Sequence, residues 1–164
     1  MKIFDADYLN KLTAQSQGNS RWRQHRNIHE SYDAPSQRLF NVIEPGSYTR
    51  PYRHANKLKD QILIAIPGLM ALATFGEQGE VTGGVCFNAG RNGEDFSAGA
   101  EVPSGTRHTV IALGSCCFLL KLKTGPFDSN QPKNLAPWAP DENSTQATTY
   151  FQLLCSYIDN SESQ

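Results

Sequence analysis

Two distant segments of the chain each contain a histidine in a β context. His108 follows a predicted turn, and His54 lies in a predicted short strand. The segment from Pro103 to His108 has the form P-x-G-x-x-H and precedes an apolar run. Because Pro fixes φ and Gly105 tolerates a positive φ, the pair predicts a tight turn that places His108 at the start of a strand. In the earlier segment Tyr52 and His54 stand two residues apart, so on a strand both would point to the same face. Two imidazoles brought together in this way suit binding of Zn, Fe, Ni, Cu or Mn.

A β framework is needed to bring these segments together, and the hydrophobic pattern predicts one. Short apolar runs separated by Gly- and Pro-containing turns recur between residues 37 and 123. Many short strands at this spacing are typical of an antiparallel sandwich or barrel. Apolar residues at helical spacing predict one short helix near each end, over residues 6–17 and 149–158. The polar, proline-rich stretch from about 128 to 142 is predicted to wrap irregularly over the surface.

The two histidine segments resemble the two signature motifs of the cupin superfamily, G-x5-H-x-H-x(3–4)-E-x6-G and G-x5-P-x-G-x2-H-x3-N. Gly46, His54, Gly68 and His108 stand at the matching positions. The resemblance implies an all-β fold, a cupin double-stranded β-helix or jelly-roll barrel with short N- and C-terminal helices. It implies a single domain over residues 1–164, with the barrel core at about 36–127, the N-terminal helix at about 5–17 and the C-terminal wrap and helix at about 128–159.

The resemblance also implies a metal site inside the barrel, at altered ligand positions. Tyr52 stands where the motif has its first histidine, and Gln61 stands where it has glutamate. The implied ligands of a divalent transition metal (Zn, Fe, Ni or Mn) are therefore His54, His108, Gln61 and Tyr52. Gln61 offers only a neutral amide oxygen, and Tyr52 is a good ligand only as phenolate. We expect weaker binding than at a His-and-Glu site, a preference for a harder ion such as ferric iron, or a pocket that has lost its metal.

Asp60 is a second candidate for the carboxylate position. Strand alternation aims Asp60 and Gln61 to opposite faces, which favours Gln61 as the inward residue. A change of register in the loop of residues 55–59, which is longer than the motif allows, would reverse that order.

Several further segments look like the WbuC-type cupin-fold metalloproteins, a bacterial family often encoded among O-antigen polysaccharide genes. The matching pieces are residues 26–29, 37–38, 48–54, 123–127 and 136–140. The resemblance implies that Asn27, His29, Arg38 and Lys123 surround the centre, where they would recognise the acidic and hydroxyl groups of a sugar or sugar nucleotide. Trp138 would either stack on that ligand or pin the C-terminal wrap onto the barrel.

Residues 21–30 form a basic segment with three open interpretations. A nucleic-acid patch is disfavoured by the balanced charge of the whole chain, −1. A metalloprotease pair at His25 and His29 is disfavoured because Arg26 stands where H-E-x-x-H needs glutamate. An anion-binding arm near the pocket and a plain exposed segment both stay open.

Bulk properties narrow the setting of the protein. No apolar run approaches the roughly 20 residues of a membrane span, and acids interrupt the N-terminus where a signal peptide needs an apolar stretch. We expect a cytoplasmic protein with no nucleic-acid or membrane partner, and a homodimer formed through strand edges. The cysteines lack C-x-x-C spacing and are expected to be small core residues in a reducing compartment; they are Cys86, Cys116, Cys117 and Cys155.

Three functions fit these residues, but the sequence does not identify a catalytic group for any of the three. The first is a metal-binding cupin that acts on a sugar or sugar nucleotide in surface-polysaccharide metabolism. The second is a non-catalytic cupin that keeps the pocket for a small-molecule ligand but has lost the metal, because Tyr52 and Gln61 replace the strongest ligands. The third is a ferrous-iron dioxygenase.

Overall fold

The computed structural model describes residues 1–54, 60–88, 97–128 and 133–161. For residues 159–161 it describes the backbone alone. Within these residues the chain forms ten strands and two helices. The helices are α1 (Ala6–Gln17) and α2 (Ala147–Ser161). The strands are β1 (Arg23–Asn27), β2 (Ser36–Ile43), β3 (Tyr52–His54), β4 (Gln61–Ala65), β5 (Met70–Phe75), β6 (Val81–Phe87), β7 (Gly99–Val102), β8 (Arg107–Ala112), β9 (Cys117–Thr124) and β10 (Lys133–Leu135).

The strands pair into two five-stranded antiparallel sheets. One sheet has the order β1-β2-β9-β4-β7, and the other has the order β10-β3-β8-β5-β6. The long ladder between β2 and β9 runs from Ser36 opposite Thr124 to Ile43 opposite Cys117. Strands distant in sequence are thus neighbours in space, as β3 and β8 also are. The pairing of β3 with β8 brings the two histidine segments side by side.

The main core fills part of the space between the two sheets. It takes fully buried side chains from both of them, including Leu63 of β4, Met70 of β5 and Leu119 of β9. Period-two alternation produces this layer. In β4, Gln61, Leu63 and Ala65 are buried, whereas Ile62, which lies between Gln61 and Leu63, is exposed. Burial of these apolar side chains is the main force that holds the sheets together.

Each helix covers the outer face of one sheet. In α1 the Asp5 side chain accepts a hydrogen bond from the Tyr8 backbone N–H (2.9 Å), a normal N-cap, and Leu12 packs on Phe40 and Phe118. In α2, Leu154 and Ile158 pack on the outer face of the second sheet. None of the helices in the described part of the chain is both long and apolar enough to cross a membrane.

Two strands depart from the pattern-based expectation. Strand β1 lies in the basic segment of residues 21–30, and β10 lies in the stretch expected to be irregular. Both are short edge strands of polar residues, so neither has the apolar alternation that marks a half-buried strand. Backbone pairing with β2 and β3 orders them instead.

Candidate functional site

Three strands bring the predicted centre together at one end of the space between the sheets. Tyr52 of β3 lies opposite His108 of β8 in the ladder, and their ring centroids are 4.7 Å apart. His54 follows on the same face of β3, with its ring centroid 5.5 Å from that of Tyr52. Gln61, at the start of β4, reaches the same place from the other sheet.

Gln61 connects the two imidazoles through hydrogen bonds. Its Nε2 donates to Nε2 of His108 (2.5 Å), while Nδ1 of His108 donates to the Thr106 carbonyl (2.8 Å). The Gln61 side chain also hydrogen-bonds His54. The nitrogen of His108 that faces the site is therefore already an acceptor from a neutral amide.

Tyr52 is surrounded by lysines. Lys121 Nζ donates to the Tyr52 hydroxyl (3.1 Å), and Lys133 Nζ lies 3.8 Å from the centroid of the Tyr52 ring. Lys133 is exposed as a residue, but its ammonium rests against this ring, and the loss of water there lowers its pKa. Lys123, two residues after Lys121 on β9, adds a third ammonium to the same side.

These surroundings change the pKa of each titratable group in the centre. Burial lowers the pKa of His108 to about 3 and that of His54 to about 4, and the lysine charges act in the same direction. Burial alone would raise the pKa of Tyr52, but the charges of Lys121 and Lys133 and the hydrogen bond from Lys121 bring it down to about 7. Both imidazoles are therefore neutral near pH 7, while the phenol ionises there. The site stabilises negative charge and disfavours positive charge.

Two cavities adjoin at Tyr52. The histidine cavity, about 290 Å³, is lined by His54, Gln61 and Lys123 together with Asn27, His29, Tyr32 and Phe127. The arginine cavity, about 410 Å³, is lined by Arg21, Arg23 and Arg50. Both cavities share Lys121, Lys133, His25, Asn41 and Tyr52.

The charges lining the cavities are strongly unbalanced for a chain of net charge −1. The described residues around the histidine cavity include three lysines and no acid. Among the described residues that line the arginine cavity, Glu142 is the one acid, and it pairs with Arg23 at 2.5 Å. The cavities therefore have a positive potential that favours an anionic ligand.

A divalent transition metal does not fit this donor set. Among the residues that the structure describes, no three histidine, cysteine, aspartate or glutamate side chains come together to hold a metal ion. Tyr52 accepts from an ammonium, Gln61 directs its amide N–H at His108, and three ammonium groups would repel a dication. His54, Gln61 and His108 do meet, but the charged groups around them are ammonium groups.

The remaining predicted residues separate into two groups. Asn27, His29 and Lys123 line the histidine cavity. Arg38 does not: it lies on the other side of β2 against Phe4 and Ile28, because alternation gives the cavity side to Gln37.

Two open alternatives also have an outcome. Asp60 is exposed and accepts from the Ser104 N–H (2.7 Å), so it is Gln61 that turns inward. The loop of residues 55–59, on which their order depended, lies outside the described residues. Trp138 packs on Phe75 and Tyr150 and so pins the C-terminal wrap.

Lys121 and Lys133 are the residues that the sequence interpretation missed. Lys121 could have been found, because it alternates in phase with the buried Cys117 and Leu119 on β9. A lysine in that phase faces the interior. Lys133 gave no comparable signal, since β10 has no apolar alternation.

Comparisons with known proteins agree with the fold described above. The structure is similar to oxalate oxidase in complex with glycolate (TM-score 0.53, 11% identity, 73% of this chain and 57% of that one). It is also similar to the capsular polysaccharide assembling protein CapF from Staphylococcus aureus (TM-score 0.53, 16% identity, 71% of this chain and 32% of that one). KdgF from Halomonas sp. matches with a TM-score of 0.47 at 17% identity, over 67% of this chain and 84% of that one. The chain thus spans just over half of the oxalate oxidase and about a third of CapF, and identities this low show the fold alone.

Sequence comparison assigns the family. No curated protein matches the chain. One family model, described as a domain of unknown function (DUF6016), matches residues 4–87, which is just over half of the chain and runs from α1 to the end of β6. The predicted cupin jelly-roll fold is confirmed by the two sheets and by the solved cupins, and the chain belongs to the DUF6016 family.

Proposed function

We propose that this cupin binds a small acidic molecule, one that carries a carboxylate or phosphate, at the lysine-rich end of its barrel and without a resident divalent metal. The observation that carries the proposal is the convergence of Lys121, Lys123 and Lys133 on the histidine cavity, with no acid among its described lining residues. Charge-assisted hydrogen bonds from ammonium groups to carboxylate or phosphate oxygens are stronger than neutral ones.

The behaviour of Tyr52 supports the same assignment. The field that lowers the pKa of this buried phenol to about 7 would equally stabilise an anionic group of a ligand placed beside it. The neutral imidazoles of His54 and His108 and the amide of Gln61 add uncharged hydrogen-bonding groups for the rest of the ligand. Such a pocket, with a few convergent polar groups and perturbed pKa values, is typical of a small-molecule site.

Calorimetric titration with inorganic phosphate and with D-gluconate, an open-chain sugar acid, tests the proposal. We expect both to bind the unmodified chain, and Lys121→Met to weaken binding about tenfold or more, because it removes one charge–charge contact but keeps the side-chain length. Lys11→Met is the matched control, since Lys11 is exposed on α1 and pairs with Asp7. Equal affinity in Lys121→Met and in the unmodified chain would contradict the proposal.

A metal-binding cupin is the second candidate, because His54, Gln61, His108 and Tyr52 do meet where the cupin resemblance places its ligands. Metal analysis after purification without chelator and reloading with Zn, Mn or Fe separates the two functions. We expect less than one metal per chain both before and after reloading. One tightly held metal per chain, lost in His54→Ala and in His108→Ala, would establish the metalloprotein instead. A role in surface-polysaccharide metabolism would follow from the WbuC resemblance and makes sugar acids natural ligands to test.

A further inference from the structure

Two exposed aromatic side chains lie at the rim of the histidine cavity. Tyr32 is 56% exposed and Phe127 is 44% exposed, and both line the cavity. Their ring centroids are 5.0 Å apart and their planes are inclined at 41°. Lys123 Nζ lies 5.5 Å from the Phe127 ring centroid, so the aromatic pair is continuous with the lysines of the cavity.

The segments that carry this aromatic pair are tied together by hydrogen bonds. The Tyr32 carbonyl accepts from the Phe127 backbone N–H (2.7 Å) and from the buried Gln37 amide (3.1 Å). Nearby, the Gly125 N–H donates to the Pro35 carbonyl (2.8 Å). The backbone of both rings is therefore held in place before any ligand arrives, which reduces the entropy cost of binding.

A buried, unpaired imidazole nitrogen lies beside the pair. His29 is 6% exposed, lines the same cavity, and its ring centroid is 6.0 Å from that of Tyr32. Its Nδ1 lies within hydrogen-bond distance of both backbone groups of Arg38, the N–H (3.0 Å) and the carbonyl oxygen (2.8 Å). Its Nε2 is buried and has no hydrogen-bond partner among the described residues. Leaving such a nitrogen unpaired is costly, and a hydroxyl group on a ligand, which can donate or accept, would remove the cost.

We propose that Tyr32, Phe127 and His29 form a ring-binding subsite of the histidine cavity. Tyr32 and Phe127 pack on the apolar face of a hydroxylated ring, His29 Nε2 forms a hydrogen bond with one of its hydroxyl groups, and the acidic substituent of the ring lies against the lysines. The ligand class is therefore an acidic sugar, with either a carboxylate or a phosphate as the acidic group. This inference rests on the proposed anion-binding function and adds the ring as a second determinant.

The test compares acids with and without a ring. Calorimetry would measure D-glucuronate against D-gluconate for the carboxylate, and D-glucose 6-phosphate against inorganic phosphate for the phosphate. In at least one of these two pairs we expect the ring compound to bind the unmodified chain about tenfold more tightly, the usual scale of an aromatic packing contact. The pair that shows the preference identifies the acidic group.

Variants of the aromatic pair complete the test. Phe127→Ala and Tyr32→Ala should each remove most of the ring preference, measured as the ratio of the affinities for the ring compound and the ringless acid. Tyr157→Ala is the matched control, because Tyr157 is also exposed (49%) but lies on α2. Binding of the acids with no ring preference in either pair, or a preference that survives in both variants, would overturn the ring subsite and leave the anion site standing. Absence of binding by all four compounds would overturn the anion site and this inference together.

Discussion

Strand β9 contributes to both ends of the space between the sheets, and the two ends differ in chemistry. At one end it places Cys117 and Leu119, both fully buried, in the apolar core. At the other end the same face of the strand places Lys121 and Lys123 in the histidine cavity. Strand β8 shows the same change, from Ala112 and Val110 in the core to His108 in the site.

The difference shows how this fold separates stability from function along each strand. The end that holds Leu63, Met70 and Leu119, here called the closed end, is filled by side chains that pack on one another. The basic end keeps open volume and collects charges that repel one another, a local cost that the closed end must offset. Substitutions at the closed end should therefore mainly lower the free energy of unfolding, whereas substitutions at the basic end should mainly change pKa values and ligand affinity.

The largest effect is expected from a cavity at the closed end. Leu63→Ala should lower the free energy of unfolding by about 2–5 kcal/mol, because it removes a fully buried side chain from the main core. Urea unfolding measures the loss. Ile62→Ala, one residue earlier on the exposed face of β4, is the control and should cost less than about 1 kcal/mol. Similar losses in the two variants would show that the closed end is not the source of stability.

Acid should destabilise the protein through the basic end. The folded-state pKa values of His54 and His108, about 4 and about 3, lie below the ordinary histidine value of 6.5. Between these folded-state pKa values and 6.5 the unfolded chain binds protons that the folded chain does not. The contribution of the two histidines to the free energy of unfolding therefore falls as the pH drops from about 7 to 4 and levels off below about 3. Unfolding of His108→Gln across this range should show a shallower slope. An unchanged slope would mean that His108 is not held neutral by burial.

Tyr52 gives a direct measure of the field at the basic end. Lys121→Met should raise the pKa of Tyr52 well above its value of about 7, because it removes both a nearby charge and the hydrogen bond to the phenol. Ultraviolet absorbance of the phenolate during a pH titration measures the shift. Tyr48 and Tyr150 do not interfere, since burial raises the pKa of Tyr150 to about 12 and that of Tyr48 higher still. Lys11→Met should leave the titration unchanged, whereas early ionisation retained in Lys121→Met would refute the role of Lys121.

The sequence predicts the framework well where the periodicity is regular. The helix expected over residues 6–17 matches α1, because it has an N-cap and a clear apolar stripe. The short strands expected between residues 37 and 123 are present, as in β6, which follows the turn at Gly79. Strands β1 and β10 were missed because edge pairing, and not an apolar face, orders them.

The centre of the site is predictable for a different reason. Turn chemistry and two-residue spacing place Tyr52, His54 and His108 on inward faces, and the structure puts them together. The residues that surround these side chains are harder to predict from the sequence, because they depend on which distant strands become neighbours. Lys133 faces Tyr52 because β10 pairs with β3, and the sequence pattern of β10 does not indicate that pairing.

The smallest effect is expected where a turn adjoins the basic end. Gly68 and Gly105 both have a positive φ, +95° and +81°. A Cβ at Gly68, in the turn after β4, would lie 2.7 Å from Cys117 Sγ, whereas a Cβ at Gly105 would meet no atom within 4 Å. Gly105→Ala should therefore cost only the backbone strain, about 1–2 kcal/mol, and Gly68→Ala should cost about 2–4 kcal/mol, since overpacking adds to the strain. Urea unfolding of the two variants measures the difference. Equal losses would show that packing at the turns does not distinguish the closed end from the basic end.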